Sequence, residues 1–302
     1  MKSILFFLIL IAAGFAAGYG AARWKTIELI SAKMASESNR SVEFRPTQYP
    51  LENVSFCLVI FGRNNGAYLE KTLQSVFSQN YENFRILYID DASDDGSYDL
   101  ARDLVYANPR FNQVQFLQNE QSLGLLGSLS LAAQGCADEE IIVVLNGEDW
   151  LAHEWVLSRL NQYYADPDLW ITYGQSRDYP TYQRGGARSM QEREKETRTQ
   201  PFTATHLKTF YAGLFKRINE SDLKYKDEYF AAAADLAFMI PMLEMANGHS
   251  QCLSDILYIC NREAQRGEDR EQQSFFEKHI RSLQPYSQLA SLDVRLIGEA
   301  AE

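Results

Sequence analysis

The chain has 302 residues, of which 46% are hydrophobic, 13% aromatic and 23% charged. That composition excludes a disordered chain, a collagen-like repeat and a small disulfide scaffold. The net charge of −11 lacks the basic footprint of a nucleic-acid binder, so no nucleic-acid partner is expected.

Residues Ile4 to Ala22 carry no charge. Nineteen helical residues rise about 28 Å at 1.5 Å each, which is close to the hydrocarbon thickness of a bilayer. Two readings fit this run: an uncleaved single-pass anchor, or a secretory signal peptide cut near the small residues Gly18 to Ala22. Its length and the lack of a clean Ala-x-Ala site favour the anchor. Arg23, Lys25 and Lys33 weight the following flank with positive charge. The positive-inside rule then keeps the next domain cytoplasmic. The polar run SESNRS and the prolines Pro46 and Pro50 read as a tether. The expected organisation is an anchor at 1–25, a linker at 26–50, a folded domain at 51–262 and a helical tail at 263–302.

From Leu51 onward, strand-like and helix-like segments alternate. Val54–Phe61, Phe84–Ile89, Val114–Leu117, Ile141–Leu145, Leu169–Tyr173 and Cys252–Ile259 read as strands. Helices are expected around Leu69–Phe77, at Ser97–Tyr106, Leu125–Ala133 and His153–Tyr164, and near Ala232–Met245. His206–Phe215 reads as an amphipathic segment. Near-continuous apolar strands imply burial on both faces. Together these features predict an α/β, doubly wound, mainly parallel sheet flanked by helices and preceded by the transmembrane helix. Gln175–Pro201, with its double glycine and charged run, reads as a solvated loop or as one that orders over a substrate. Phe275, Phe276, Ile280 and Leu283 mark one face of a tail helix that packs on the domain. Cys57, Cys136, Cys252 and Cys260 form no CxxC pair and read as reduced, mostly buried thiols.

In such sheets ligands bind outside the carboxyl ends of the strands, and the acidic motifs fall there. Asp90, Asp91, Asp94 and Asp95 follow the second strand. A calcium loop is excluded, because its twelfth position holds Arg102 where a bidentate Glu is required. Turn and cap chemistry accounts for Asp94 and Ser97. It does not account for Asp90–Asp91 at the tip of a buried strand. Glu148 and Asp149 follow the fourth strand in VLNGEDW. Two acidic clusters converging on one crevice suit Mg²⁺ or Mn²⁺, which can bridge a diphosphate.

The run CLVIFGRNNGAYLEKTLQSVFSQNYENFRILYIDDASDDGS resembles the opening of family 2 glycosyltransferases, which have the GT-A fold. VLNGEDWL sits where that family has its Asp-x-Asp motif, commonly written DGDDWL. The resemblance covers Val54 to Asn261. It implies inverting transfer of a sugar, of the hexosyltransferase class, from a nucleotide-diphosphate sugar to a hydroxyl on a glycan, lipid or protein, assisted by divalent Mn or Mg. By the same resemblance, Gly62, Arg63 and Asn64 line the nucleotide pocket, Asp91 accepts from the base with Asp90 beside it, and Gly124 lets the backbone approach the donor. Glu148 and Asp149 hold the metal, His249 adds a further metal or diphosphate ligand, and Asp235 in AAAADLAFMIPMLEMA is the catalytic base. The plain readings are that Asp235 is a first-turn acid complementing its helix dipole and that His249 is structural. The chain departs from the family at Asn146, where an acid is lost and a hydrogen-bonding donor-site residue remains, and at Glu148, which replaces Asp. That leaves an alternative, a non-catalytic nucleotide-sugar-binding or scaffold protein with a degenerate motif. A nucleotidyltransferase would need a Gly-rich basic loop after the first strand, and GRNNG is a poor match.

Overall fold

The computed structural model describes residues 53–190, 197–264 and 269–292. The anchor expected at Ile4–Ala22 and the linker to Pro50 lie outside the described residues. Among the described residues, no helix is long and apolar enough to cross a membrane.

Chain order is β1 (Phe56–Gly62), α1 (Gly66–Phe77), β2 (Phe84–Asp90), α2 (Ser97–Tyr106), β3 (Val114–Gln118), α3 (Gly124–Gln134), β4 (Ile141–Asn146) and β5 (Trp150–Leu151). There follow α4 (Val156–Tyr164), β6 (Ile171–Tyr179), β7 (Thr209–Tyr211), α5 (Ala212–Phe215), the hairpin β8 (Lys224–Tyr225) and β9 (Glu228–Tyr229), α6 (Ala234–Ala246), β10 (Ser250–Asn261) and α7 (Arg270–Ser282). Eight strands form one sheet in the order β3-β2-β1-β4-β7-β6-β10-β5. β1, β2, β3 and β4 run parallel, as do β6 and β10. The residues of β1 from Phe56 to Ile60 are all buried, because helices cover both faces of the sheet. Leu69, Leu73 and Val76 of α1 supply one such cover, each contributing about 1.5–3 kcal/mol by burial.

The expected mainly parallel sheet is instead mixed. β7 pairs antiparallel with both β4 and β6, and β5 pairs antiparallel with β10. β7 lies within the amphipathic segment His206–Phe215. Its three residues are all buried, so it has neither the length nor the alternation that marks a strand. Because β7 reverses direction once and β6 reverses it back, β6 and β10 run the same way as β1 and β4. The carboxyl ends of β1, β2, β4, β6 and β10 therefore share one edge of the sheet.

Two further segments differ from expectation. Gln175–Tyr179, taken as the start of a loop, continues β6. Arg198, in the same stretch, is buried and paired with Glu244 of α6, Nε to Oε1 at 2.7 Å and Nη2 to Oε2 at 2.8 Å. Its Nη1 donates to the Ile280 carbonyl of α7 at 2.6 Å. Phe276 of α7 packs edge-on to Phe230 at 5.3 Å and Ile280 is buried, whereas Phe275 is exposed. The four cysteines are free thiols, and only Cys252 is not fully buried.

Candidate active site

A cleft of ≈ 1100 Å³ opens at the shared carboxyl edge. Gly62 to Asn65 and Tyr68 wall it after β1, Asp91 after β2, Gly124 and Leu125 at the start of α3, and Asn146 and Glu148 after β4. Arg262, Glu263 and Ala264 after β10 and Arg270 on α7 close it. Of the residues expected to form the site, seven line this cleft: Gly62, Arg63, Asn64, Asp91, Gly124, Asn146 and Glu148.

The loops are joined tightly. A Cβ at Gly62 would come within 2.7 Å of Asn65 Cγ, and one at Gly147 within 3.2 Å of the same atom. Glycine at both positions lets the β1 and β4 loops close on the buried Asn65. Asn64 adopts φ 55°, which Asn tolerates better than most residues. From there its backbone N–H donates to Ser93 Oγ at 3.0 Å and its Nδ2 to Asp94 Oδ1 at 2.8 Å. Asp95, rather than Asp94, accepts from the Ser97 N–H at 2.9 Å at the start of α2.

Asp91 is 6% exposed. It accepts from Asn119 Nδ2 (2.7 Å), Ser122 Oγ (2.7 Å), Leu123 N (2.7 Å) and Gly124 N (3.0 Å). Burial alone would raise its pKa, but the four donors outweigh it and hold the carboxyl below the ordinary value. Gly124, at φ 68°, turns its N–H onto Asp91 and opens α3 at the cleft. Asp90 corrects the expectation that it contacts the donor. It is 0% exposed, does not line the cleft, and accepts from the Ser93 N–H at 3.0 Å. It holds the turn that presents Asp91.

The second acidic cluster departs further from expectation. Asp149 is 1% exposed. Its Oδ2 accepts from Tyr258 O–H at 2.6 Å and Asn146 Nδ2 at 2.9 Å, and its Oδ1 accepts from Asn261 N at 2.6 Å. Burial pushes its pKa up against those donors. Asp149 therefore ties β4 to β10 beneath the cleft floor and turns no oxygen to the cleft. His249 lies at the opposite edge of the sheet, where β6 and β10 begin. Its ring stacks on Trp170 at 4.0 Å and its Nδ1 meets the Asp168 carbonyl at 2.7 Å. The plain structural reading of His249 fits this place, and a ligand role does not.

The fit of a divalent ion follows from this donor set. Among the described residues, no group of three or more His, Cys, Asp or Glu side chains could hold one. Of the expected ligands Glu148, Asp149 and His249, only Glu148 lines the cleft. The Asn146 amide donates to Asp149 and so fills the space where a second carboxylate would share a cation. The residues present do not fit the metal site the resemblance implied.

Asp235, in the first turn of α6, does not line the cleft but reaches the same edge. Its Oδ2 accepts from Lys208 Nζ at 2.6 Å. The Lys208 side chain is fully buried, while that of Asp235 is 34% exposed. Lys208 Nζ stands 3.4 Å from His206 Nδ1, and His206 stacks on Tyr258 at 4.5 Å. These contacts link Asp235 to Asp149 and Asn146. Burial would raise the pKa of Asp235, but the Lys208 ammonium beside it outweighs burial and holds the carboxyl below its ordinary value. His206 itself is lowered to about 3, first by burial and then by Lys208, so it stays neutral near pH 7. Sequence reasoning did not find Lys208, Asn65, Arg262, Glu263 or Arg270. Applying the strand-end rule to β10 would have found Arg262 and Glu263.

The model of glycosyl transferase family 2 matches residues 55–223, more than half of the chain. The chain belongs to that family, and its mixed sheet flanked by helices is GT-A-like. The protein EpsH of Bacillus subtilis (strain 168), named as a glycosyltransferase, is 26% identical over 121 residues, 40% of this chain. That match spans only 34% of the relative's own length. A 1–349 fragment of S. aureus TarS, in complex with UDP-GlcNAc, superposes with a TM-score of 0.54 at 17% identity, covering 71% of this chain and 60% of that one. The mannosyltransferase PcManGT of Pyrobaculum calidifontis, in complex with GDP-Man and Mn²⁺, superposes with a TM-score of 0.54 at 16% identity, covering 80% of this chain and 70% of that one. At these identities the two structures bear on the fold alone.

Proposed function

We propose that this chain is an inverting glycosyltransferase that moves a hexose from a nucleoside-diphosphate sugar to an acceptor hydroxyl. The observation that carries this reading is the cleft itself, built from Gly62–Asn65, Asp91, Gly124 and Asn146–Glu148 at the carboxyl edge, with the ionised Asp235 at that same edge. The donors bound to TarS and PcManGT are nucleotide sugars and support the same ligand class here. Asp91 locks the Ser122–Gly124 loop, which shapes the pocket wall. Asn146 presents an amide at the cleft floor.

In the transfer, the acceptor oxygen attacks the anomeric carbon on the face opposite the diphosphate. The new C–O bond forms as the bond to the diphosphate oxygen breaks, and the electron pair leaves with the diphosphate. The acceptor proton passes to Asp235 Oδ1, since Oδ2 is held by Lys208. The depressed pKa keeps this carboxylate charged at neutral pH. The Mn²⁺ bound to PcManGT makes a metal the natural expectation for such chemistry. The side chains of this cleft do not match one. The charge-free run Ile4–Ala22 and its basic flank support a single-pass anchor with the domain on the cytoplasmic side.

The test uses the full-length protein against a panel of nucleotide sugars, with release of nucleoside diphosphate as readout. The wild type should turn over at least one donor. Asp235→Asn should abolish turnover while nucleotide affinity changes less than twofold. A wild type that binds nucleotide and releases none from any sugar would favour the non-catalytic binding protein, which the Asn146–Asp149 pairing also fits.

A further inference from the structure

Resting on that reading of the cleft, we propose that the leaving diphosphate is neutralised by Arg63, Arg262 and Arg270 rather than by a divalent cation. A nucleoside diphosphate leaves with two to three negative charges, which something in the site must balance. The acidic motif that would recruit a cation is spent elsewhere. Asp149 is buried under three donors and Asn146 is one of them. Glu148 is the only carboxylate of that motif on the cleft wall.

The three guanidinium groups come from three separate elements: the loop after β1, the end of β10 and the first turn of α7. All three line the same cleft. In a chain of net charge −11 this convergence is not the ambient surface. Arg262 is set in place at both ends. Its backbone N–H donates to the Tyr179 carbonyl at 3.0 Å, and its Nε pairs with Asp178 Oδ1 at 2.8 Å. Its side chain remains about half exposed, so a ligand can reach it. Arginine is suited to this task because its fork meets phosphate oxygens in pairs and cannot lose its proton. Glu263 shares the wall, and with Glu148 and Asp91 it offsets the charge of the three arginines. A dication seated beside Glu148 and Glu263 would still face these guanidinium groups, which opposes its binding.

The experiment is calorimetric titration of UDP and of GDP into full-length protein, once with Mn²⁺ and once with EDTA. The dissociation constant should agree within twofold between the two buffers. Arg262→Gln, Arg270→Gln and Arg63→Gln should each weaken binding roughly tenfold, the range of a lost charge-assisted hydrogen bond. Arg262→Lys should recover part of the loss, because the charge stays and the fork does not. Arg63→Gln and Arg270→Gln change exposed side chains, so unchanged thermal melting will separate lost binding from lost folding. Binding that appears only with Mn²⁺, or arginine variants that bind as tightly as wild type, would overturn the inference while leaving the nucleotide-sugar reading intact. No binding of either nucleotide in either buffer would overturn both.

Discussion

The two acidic clusters of this protein look alike in sequence and differ in the fold. Each follows a buried strand of the same sheet, and each supplies carboxylates at the same edge. In the first, Asp90, Asp91, Asp94 and Asp95 are divided among four separate tasks: a turn, a loop anchor, a bridge to Asn64 and a helix cap. In the second, Asp149 is sunk beneath the floor as a junction between β4 and β10, and Glu148 stays on the wall. Carboxylates at strand ends are thus largely consumed by the loops they organise. An acidic run is therefore weak evidence for a cation site until its hydrogen bonds have been followed one by one.

The sharpest way to break this comparison is Asp91→Ala. It would leave the N–H groups of Leu123 and Gly124 and the side chains of Asn119 and Ser122 without their shared acceptor. A loss of about 3 kcal/mol in stability is expected from orphaned, partly buried donors, read as a lower denaturant midpoint, together with weakened nucleotide binding. The pH dependence has a definite sign. The folded pKa of Asp91 is depressed, so its stabilisation is full above the unfolded value of about 3.9 and is lost as pH falls through the lower folded value. In Asp91→Ala the acid slope in that window should flatten. Asp94→Ala, which removes only the exposed bond from Asn64 Nδ2 and keeps the one its own backbone N–H donates to Asn64 Oδ1, should cost far less. Equal effects of the two variants would erase the distinction drawn within the first cluster.

Much of this was legible in the chain. The strand cores at Phe56–Phe61 and Ile141–Leu145 are unbroken apolar runs and Phe84–Ile89 is broken only by Arg85, and their carboxyl ends locate Gly62, Asp91 and Glu148 at one crevice. The contacts that decide what those residues do were hidden, because they come from far along the chain. Asp91 is saturated by residues about thirty positions away, Asp149 by Tyr258 and Asn261, and Asp235 by Lys208. β7 could not be read either. Three buried residues carry no period, and this strand brings Lys208 to Asp235 and makes the sheet mixed. His249 was misplaced because the resemblance supplied a role without saying which edge of the sheet the residue occupies.

A second test acts on the other cluster. Asn146→Asp replaces the amide that donates to Asp149 with a carboxylate 2.9 Å from another. Two carboxylates so close repel unless a proton or a cation sits between them, and hard cations gain from each added anionic oxygen. The variant should be less stable than wild type without metal and should recover with Mn²⁺, seen as a melting temperature that rises on titration. The wild type should show no such rise. An equal Mn²⁺ response in both proteins would mean that the second cluster already holds a cation and that Asp149 is not the closed junction described.

The smallest effect is expected at His249, and it tests the geometry from outside both clusters. Its ring lies flat on Trp170 and its Nδ1 meets the Asp168 carbonyl, at the edge where β6 and β10 begin. His249→Ala removes one stacked pair, so a loss of about 1 kcal/mol is expected. Nothing in the cleft should register it. Nucleotide affinity, turnover and the Mn²⁺ response should all match wild type, and His249→Phe should restore most of the stability by refilling the stack. A role as a metal or diphosphate ligand predicts the opposite pattern, with stability kept and binding lost in both variants. That result would contradict the place of His249 just before β10, at the edge of the sheet opposite the cleft.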